Sequence, residues 1–302
     1  MEYLSAALPD HLFTNITGSD RKGLAMLENI KSLQRKASQC YAENRTEAQW
    51  TQLIEKVLKG HTEVLSNEGG PSPNKIRVDV VTCDPLCEDL QPKENNMDSF
   101  STVTAKVDIM LQFEFFSNHS LLKTFSDRDE AISIFVGKSW NSAIAFLPVE
   151  VKALSGTMLQ GGLQATVASV ACLTRLKTLA LKYNIIKVEE VPEKIPPTPS
   201  FVIMGHMWYL FWSFWVGPEE IVQFGPYSVG DTVNIAKTFR LLAVIDELKR
   251  WGLSDHFYQR RSHVNDTDGG KIQGYWGMAG HIIKEAAKRL EQGVIDQNEL
   301  AE

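Results

Sequence analysis

Cysteine is scarce: four residues among 302, at Cys40, Cys83, Cys87 and Cys172. That number and scatter exclude a small secreted scaffold stapled by disulfides. Cys83 and Cys87 form a C-x3-C pair, but no second Cys/His pair at zinc-like spacing follows, so no zinc clip is expected. Basic charge is also in short supply, with 31 Lys and Arg against 37 Asp and Glu and a net charge of −6. The deficit lies in residues 1–150, which hold 15 basic and 21 acidic side chains, whereas residues 151–302 hold 16 of each. The chain therefore lacks the basic excess of a tight non-specific nucleic-acid binder, and a polyanion partner would need a local basic patch. Long apolar runs are missing too. The longest, FVIMGHMWYLFWSFWVG from Phe201 to Gly217, is short of the roughly 20 residues a membrane helix needs and is interrupted by Gly205 and His206. Its aromatics favour two adjacent buried strands, and no membrane partner is expected. The opening MEYLSAALPDHLF has neither a basic n-region nor a sustained apolar stretch, so no secretion signal is read. The N-x-S/T matches at Asn15, Asn44, Asn118 and Asn265 are then coincidental, and a reduced intracellular compartment, cytoplasm or nucleus, is expected.

What is present is a regular alternation of helix and strand patterns. Residues 1–25 read as a leader with turn residues Pro9, Asp10 and Gly18. Helical spacing runs from Gly23 to Gln39 and again through ENRTEAQWTQLIEKVLKG, where Asn44 or Thr46 caps, Trp50, Leu53, Ile54, Val57 and Leu58 form the apolar stripe, and Gly60 stops the helix. Turn residues fill 66–75. Strand patterns follow at 76–83, 101–116 and 143–154, with a polar loop at 85–99. An Ala- and Leu-rich helix covers 156–184 and a proline-rich surface connection follows it. Strands at 200–207 and 209–216, an amphipathic helix at 231–253, a polar loop and a charged helix from 275 complete the chain. No repeat is visible. Strands flanked by helices, then a helix crossing to further strands, predict an α/β fold with a mixed central sheet.

The stretch AFLPVEVKALSG, residues 145–156, places Glu150 and Lys152 two apart, on one face of a strand that otherwise looks buried. Opposite charges there are costly unless they pair or take part in chemistry. Asp108 lies on the polar face of another strand, KVDIMLQF, with Lys106, Met110 and Gln112. If the two strands are neighbours, Asp108 and Glu150 converge. Two carboxylates, a backbone carbonyl and waters suit Mg²⁺, with Mn²⁺ as a substitute, and a lysine beside them suits the activation of a water for phosphodiester hydrolysis. The plainer reading is an ion pair at a strand end, worth little to stability; the apolar AFLPV before it argues against exposure.

The D…E-x-K arrangement on consecutive strands, followed by a helix bearing a glutamine, resembles the PD-(D/E)XK nuclease superfamily, and more narrowly its fungal nuclease-like proteins. The matching pieces are RTEAQWTQLI, KVDIMLQF, LPVEVKALSG, GGLQATVASVACLTRL, GHMWYLFW and FRLLAVIDELKRW, spanning about residues 43–251. The resemblance implies a restriction-endonuclease-like fold, with residues 26–255 as the nuclease-like domain and 256–302 as a polar loop and C-terminal helix packed on it. It implies that Asp108, Glu150 and the carbonyl of Val151 hold the metal, that Lys152 is the catalytic lysine, that Glu47 orients the metal-bound water, and that Gln164 stands beside the site. Val107 replaces the family's proline, and about 40 residues separate Asp108 from Glu150, so an insertion or an extra strand is expected between them. Two functions follow as alternatives. One is a metal-dependent phosphodiesterase, a Mg²⁺ hydrolase whose nucleic-acid partner the net charge does not support. The other is a repurposed or inactive nuclease-like fold serving as a binding or scaffold protein, or acting in small-molecule biosynthesis. A homodimer is compatible with either. His206 reads as a core histidine, and Arg260, Arg261 and His263 as a solvated loop.

Overall fold

Apolar alternation and β-branched runs build the centre of the molecule. The computed structural model describes residues 21–60, 73, 75–91, 106–115, 120–136, 143–254, 256–258 and 271–293. Six strands form one sheet in chain order: β1 (Lys75–Val80), β2 (Ile109–Glu114), β3 (Ile144–Lys152), β4 (Thr198–Met204), β5 (Met207–Gly217) and β6 (Glu220–Asp231). Every neighbouring pair is antiparallel except β3–β4, which is parallel. A parallel pair needs a long crossover, and α4 (Met158–Lys182) supplies it. The sheet is thus mixed, as expected of a restriction-endonuclease-like α/β fold.

Helices cover both faces. α1 (Arg21–Ala42) and α2 (Glu47–Lys59) precede the sheet, and α3 (Ser120–Asp127) lies between β2 and β3. The four-residue α5 (Val191–Lys194), α6 (Ile235–Leu253) and α7 (Tyr275–Glu291) complete the helices among the described residues, and β7 (His256–Tyr258) and β8 (Lys271–Gln273) form a separate two-stranded ribbon. On one face, Trp50, Leu53, Ile54, Val57 and Leu58 of α2 pack with Val149 and Val151 of β3, Phe201 and Ile203 of β4, and α6 and α7. Each such side chain contributes about 1.5–3 kcal/mol on burial. On the other face α4 sits directly on β3 and β4, with Ala165 against Val202 and Phe211.

The structure departs from several expectations. The helix read from Gly23 begins at Arg21, inside the segment taken as leader. The strand read as 101–116 is confined to Ile109–Glu114, so Asp108 is the residue before it rather than a strand residue. Residues 101–105 lie outside the described residues. So do most of the turn at 66–75, residues 259–270 with Arg260, Arg261 and His263, and the termini 1–20 and 294–302. The long connection between β2 and β3 holds α3 and, among its described residues, no further strand of the sheet; its Phe135 makes a single bridge to Leu86. β6 was not anticipated. It is an edge strand of 12 residues carrying Gly225 and Pro226, largely exposed, with register shifts against β5. A strand paired on one side only tolerates Pro and needs no apolar alternation, so it leaves little pattern to read.

Candidate metal centre

Three elements end at the same place. α2 begins at Glu47 because Thr46 in front of it caps in the extended conformation, and Gln49 Oε1 accepts from the Thr46 backbone N–H at 3.0 Å. Asn44, the other candidate cap, instead takes the left-handed turn between α1 and α2 at φ 47°. β2 and β3 are antiparallel with Ile109 opposite Val149, which brings Asp108 beside the end of β3. The Asp108 backbone carbonyl accepts from Val81 N–H at 2.8 Å, and its side-chain Oδ2 accepts from Val151 N–H at 2.8 Å. The residue is thereby held at its backbone and at its side chain.

Glu150 and Lys152 share the α4-facing side of β3, and both are buried, at 1% and 4% exposure. Lys152 Nζ is 2.6 Å from Glu150 Oε1 and 3.5 Å from Glu47 Oε2. One carboxylate oxygen from each of Glu47, Asp108 and Glu150 lies within 4.8 Å of the others. Glu47 is the most open of the three, with its side chain 45% exposed. Space beside Lys152 is made by glycine. A Cβ on Gly161 of α4 would stand 2.8 Å from Val202 Cγ1 and 3.4 Å from Lys152 Cγ; one on Gly156 would meet Lys152 Cβ at 2.9 Å. Only residues without side chains let the β3–α4 turn and the first turn of α4 close over the lysine stem. In the sequence the two glycines stand as G-x4-G directly after the E-x-K strand, a spacing that marks the close approach.

The electrostatics are those of charges confined together. Burial, and then the Glu47 charge, raise the Asp108 carboxyl to about 6 against the opposing Val151 hydrogen bond. Burial and the neighbouring Asp108 carboxylate raise Glu150 to about 8, with Lys152 opposing. Burial, the largest single influence, would lower Lys152, but the Glu150 contact together with the Glu47 and Asp108 charges outweighs it, and the ammonium is held above its ordinary value. Of the pair, Glu150 has the less secure charge, because its Oε2 is buried with no hydrogen-bond partner. Gln164, on α4, likewise has a buried Oε1 without a partner. An acid cluster with unused, buried oxygen lone pairs fits a hard dication that prefers oxygen ligands.

The whole arrangement spans residues that a single family description also covers: the PD-(D/E)XK nuclease superfamily model matches residues 4–257. The chain belongs to the PD-(D/E)XK nuclease superfamily. Comparison with curated proteins and with solved structures returns no match. Of the residues expected in a PD-(D/E)XK site, the structure brings Glu47, Asp108, Glu150 and Lys152 together. Val151 meets Asp108 through its N–H, and no hydrogen bond ties Gln164 Oε1 to the cluster. His206 is a half-buried residue of the β4–β5 turn, with Nδ1 2.7 Å from Thr232 Oγ1; burial lowers its basicity. No helix among the described residues is long and apolar enough to cross a membrane.

Proposed function

We propose that the chain is a metal-dependent phosphodiesterase acting on nucleic acid, with its reaction centre at the ends of β2 and β3. The observation that carries this reading is the buried Glu150–Lys152 pair at 2.6 Å with two further carboxylates in reach. Asp108 and Glu150, with the Val151 carbonyl, are the residues that would hold Mg²⁺ or Mn²⁺. When bound, the ion would offset the carboxylate charges and stabilise charge developing on a phosphoryl oxygen. The chain's own groups do the rest. Lys152 and the more open Glu47 orient a water for in-line attack, and the ammonium also faces the developing negative charge. The water oxygen forms the new P–O bond and gives a proton to solvent on the open Glu47 side, the ester P–O bond breaks, and the leaving oxygen takes up a proton from solvent. Gln164 would fix the orientation of groups on the α4 side.

A second reading, a repurposed fold without hydrolysis, draws support from the same contact, since Lys152 is already engaged by Glu150, and from the net charge of −6. Cleavage of labelled single- and double-stranded DNA and RNA in Mn²⁺ separates the two. The phosphodiesterase reading expects cleavage that falls at least 100-fold in Lys152→Ala and Asp108→Ala. Equal cleavage by wild type and both variants would show contamination and end the reading.

A further inference from the structure

The acidic balance of the chain conceals one strongly basic element. α1, RKGLAMLENIKSLQRKASQCYA, carries Arg21, Lys22, Lys31, Arg35 and Lys36 against a single acid, Glu28. A groove of about 630 Å³ runs beside it, lined by Glu28, Lys31, Gln34, Arg35 and Ser38 of α1 and by Val233 from the β6–α6 connection. These α1 positions recur at three- and four-residue steps, so they form one stripe along the helix, and Tyr41 continues it. Tyr41 is 52% exposed, and its ring lies 5.1 Å from the His206 ring, tilted by 36°.

That stripe leads to the metal centre through direct contacts. His206 is fixed by Thr232, whose N–H donates to the His206 carbonyl at 3.2 Å and whose Oγ1 meets Nδ1. Thr232 is the residue before Val233 on the groove wall. The preceding residue of the turn, Gly205, donates its N–H to the backbone carbonyl of Lys152 at 3.2 Å. Gly205 adopts φ +55°, and a Cβ there would strike Leu154 at 2.8 Å, so the turn sits tight against the end of β3. The acids along this route are already matched. Glu28 pairs with Lys31 at 3.0 Å on the exposed surface, a contact weak enough to exchange for a phosphate, and Asp231 pairs with Lys237 at 2.8 Å.

We infer that the α1 groove binds the strand flanking the cleaved phosphodiester: Lys31 and Arg35 contact its phosphates, and Tyr41 stacks on a base beside His206. The partner is a single-stranded nucleic-acid segment. From Lys31 to Tyr41 the helix rises about 15 Å, room for roughly four stacked nucleotides at about 3.4 Å each. Cations along a backbone with an aromatic platform is how single strands are held without sequence preference. The whole-chain charge is no obstacle, because the field that matters is the local one.

This inference rests on the proposed phosphodiesterase, and its test keeps the two apart. Binding of a fluorescent 12-nucleotide single strand is measured by anisotropy on the full chain in EDTA, where no cleavage occurs, across a series of salt concentrations. Lys31→Glu/Arg35→Glu is expected to weaken binding at least 10-fold and to flatten the salt slope by about 1.4, the value for two lost phosphate contacts. Tyr41→Ala is expected to weaken it about 10-fold with the slope unchanged. Lys194→Glu/Lys288→Glu, the same charge change at exposed lysines outside α1, should leave the slope as in wild type. If wild type cleaves but the groove variants bind with unaltered affinity and slope, the groove assignment is wrong and the phosphodiesterase stands. If wild type binds through the groove but never cleaves, the groove stands and the phosphodiesterase falls. A wild type that neither binds nor cleaves overturns both.

Discussion

Two lysines are buried to the same degree, 4% exposed each, and α2 runs between them. Lys152 lies near its N-terminal end, 3.5 Å from Glu47, and is surrounded by three acids. Lys249 of α6 lies at its C-terminal end, where Nζ donates to the Leu58 carbonyl at 2.5 Å. Burial lowers Lys249, with Asp246 opposing, whereas the acids hold Lys152 up. Lys249 satisfies one of the carbonyls that every helix leaves open at its end, with a charge of the sign the helix dipole favours there. Lys152 satisfies nothing in the backbone and stands where carboxylates repel one another. One lysine completes the fold; the other is embedded in an arrangement the fold does not need. That contrast marks the cluster as functional more sharply than the motif alone.

Substituting each lysine by methionine breaks the comparison most directly. Lys249→Met leaves the Leu58 carbonyl unpaired in the interior and is expected to cost about 2–3 kcal/mol of stability in denaturant unfolding. Lys152→Met leaves Glu150 without its ion-pair partner, but the acids can respond by protonation, so the loss of stability should be smaller than that of Lys249→Met. Losses of equal size would mean that both lysines are structural.

The same contrast was only partly legible in the sequence. E-x-K on an apolar strand and an acid at the start of a capped helix are local patterns, and both could be read. What joins them is not local. The Val151 N–H that holds Asp108, and the approach of Gly161 onto Lys152, depend on the β2–β3 register and the α4 crossover. Lys249 looked like one more polar position of an amphipathic helix, because its partner is 191 residues away. β6 was hidden by exposure and by Pro226, and α3 lay in a segment read as an insertion or an extra strand. The basic stripe of α1 vanished into an average taken over the whole chain.

A smaller effect sharpens the electrostatic half. Asp108 has a folded value near 6, above its ordinary 3.8. An acid raised in this way makes the folded state hold the proton more firmly than the unfolded chain does. Its unfavourable contribution is therefore absent below about pH 4 and grows as pH rises through 6. Asp108→Asn, which can keep an oxygen for Val151 N–H, should melt like wild type at pH 4. At pH 8 it should be more stable by up to about 3 kcal/mol in metal-free buffer. A stability difference that does not change with pH would show that the carboxyl is ionised at no cost.

The central claim is that these acids exist to bind a dication, and calorimetric titration of Mn²⁺ at pH 7 in two buffers of different ionisation enthalpy tests it most directly. Burial and the Asp108 carboxylate favour the protonated form of Glu150, and a metal ligand must lose its proton. The account predicts saturable binding at one site with net proton release, both lost in Glu150→Gln. Heat of binding that is absent in wild type, or that is identical in wild type and Glu150→Gln, would contradict it.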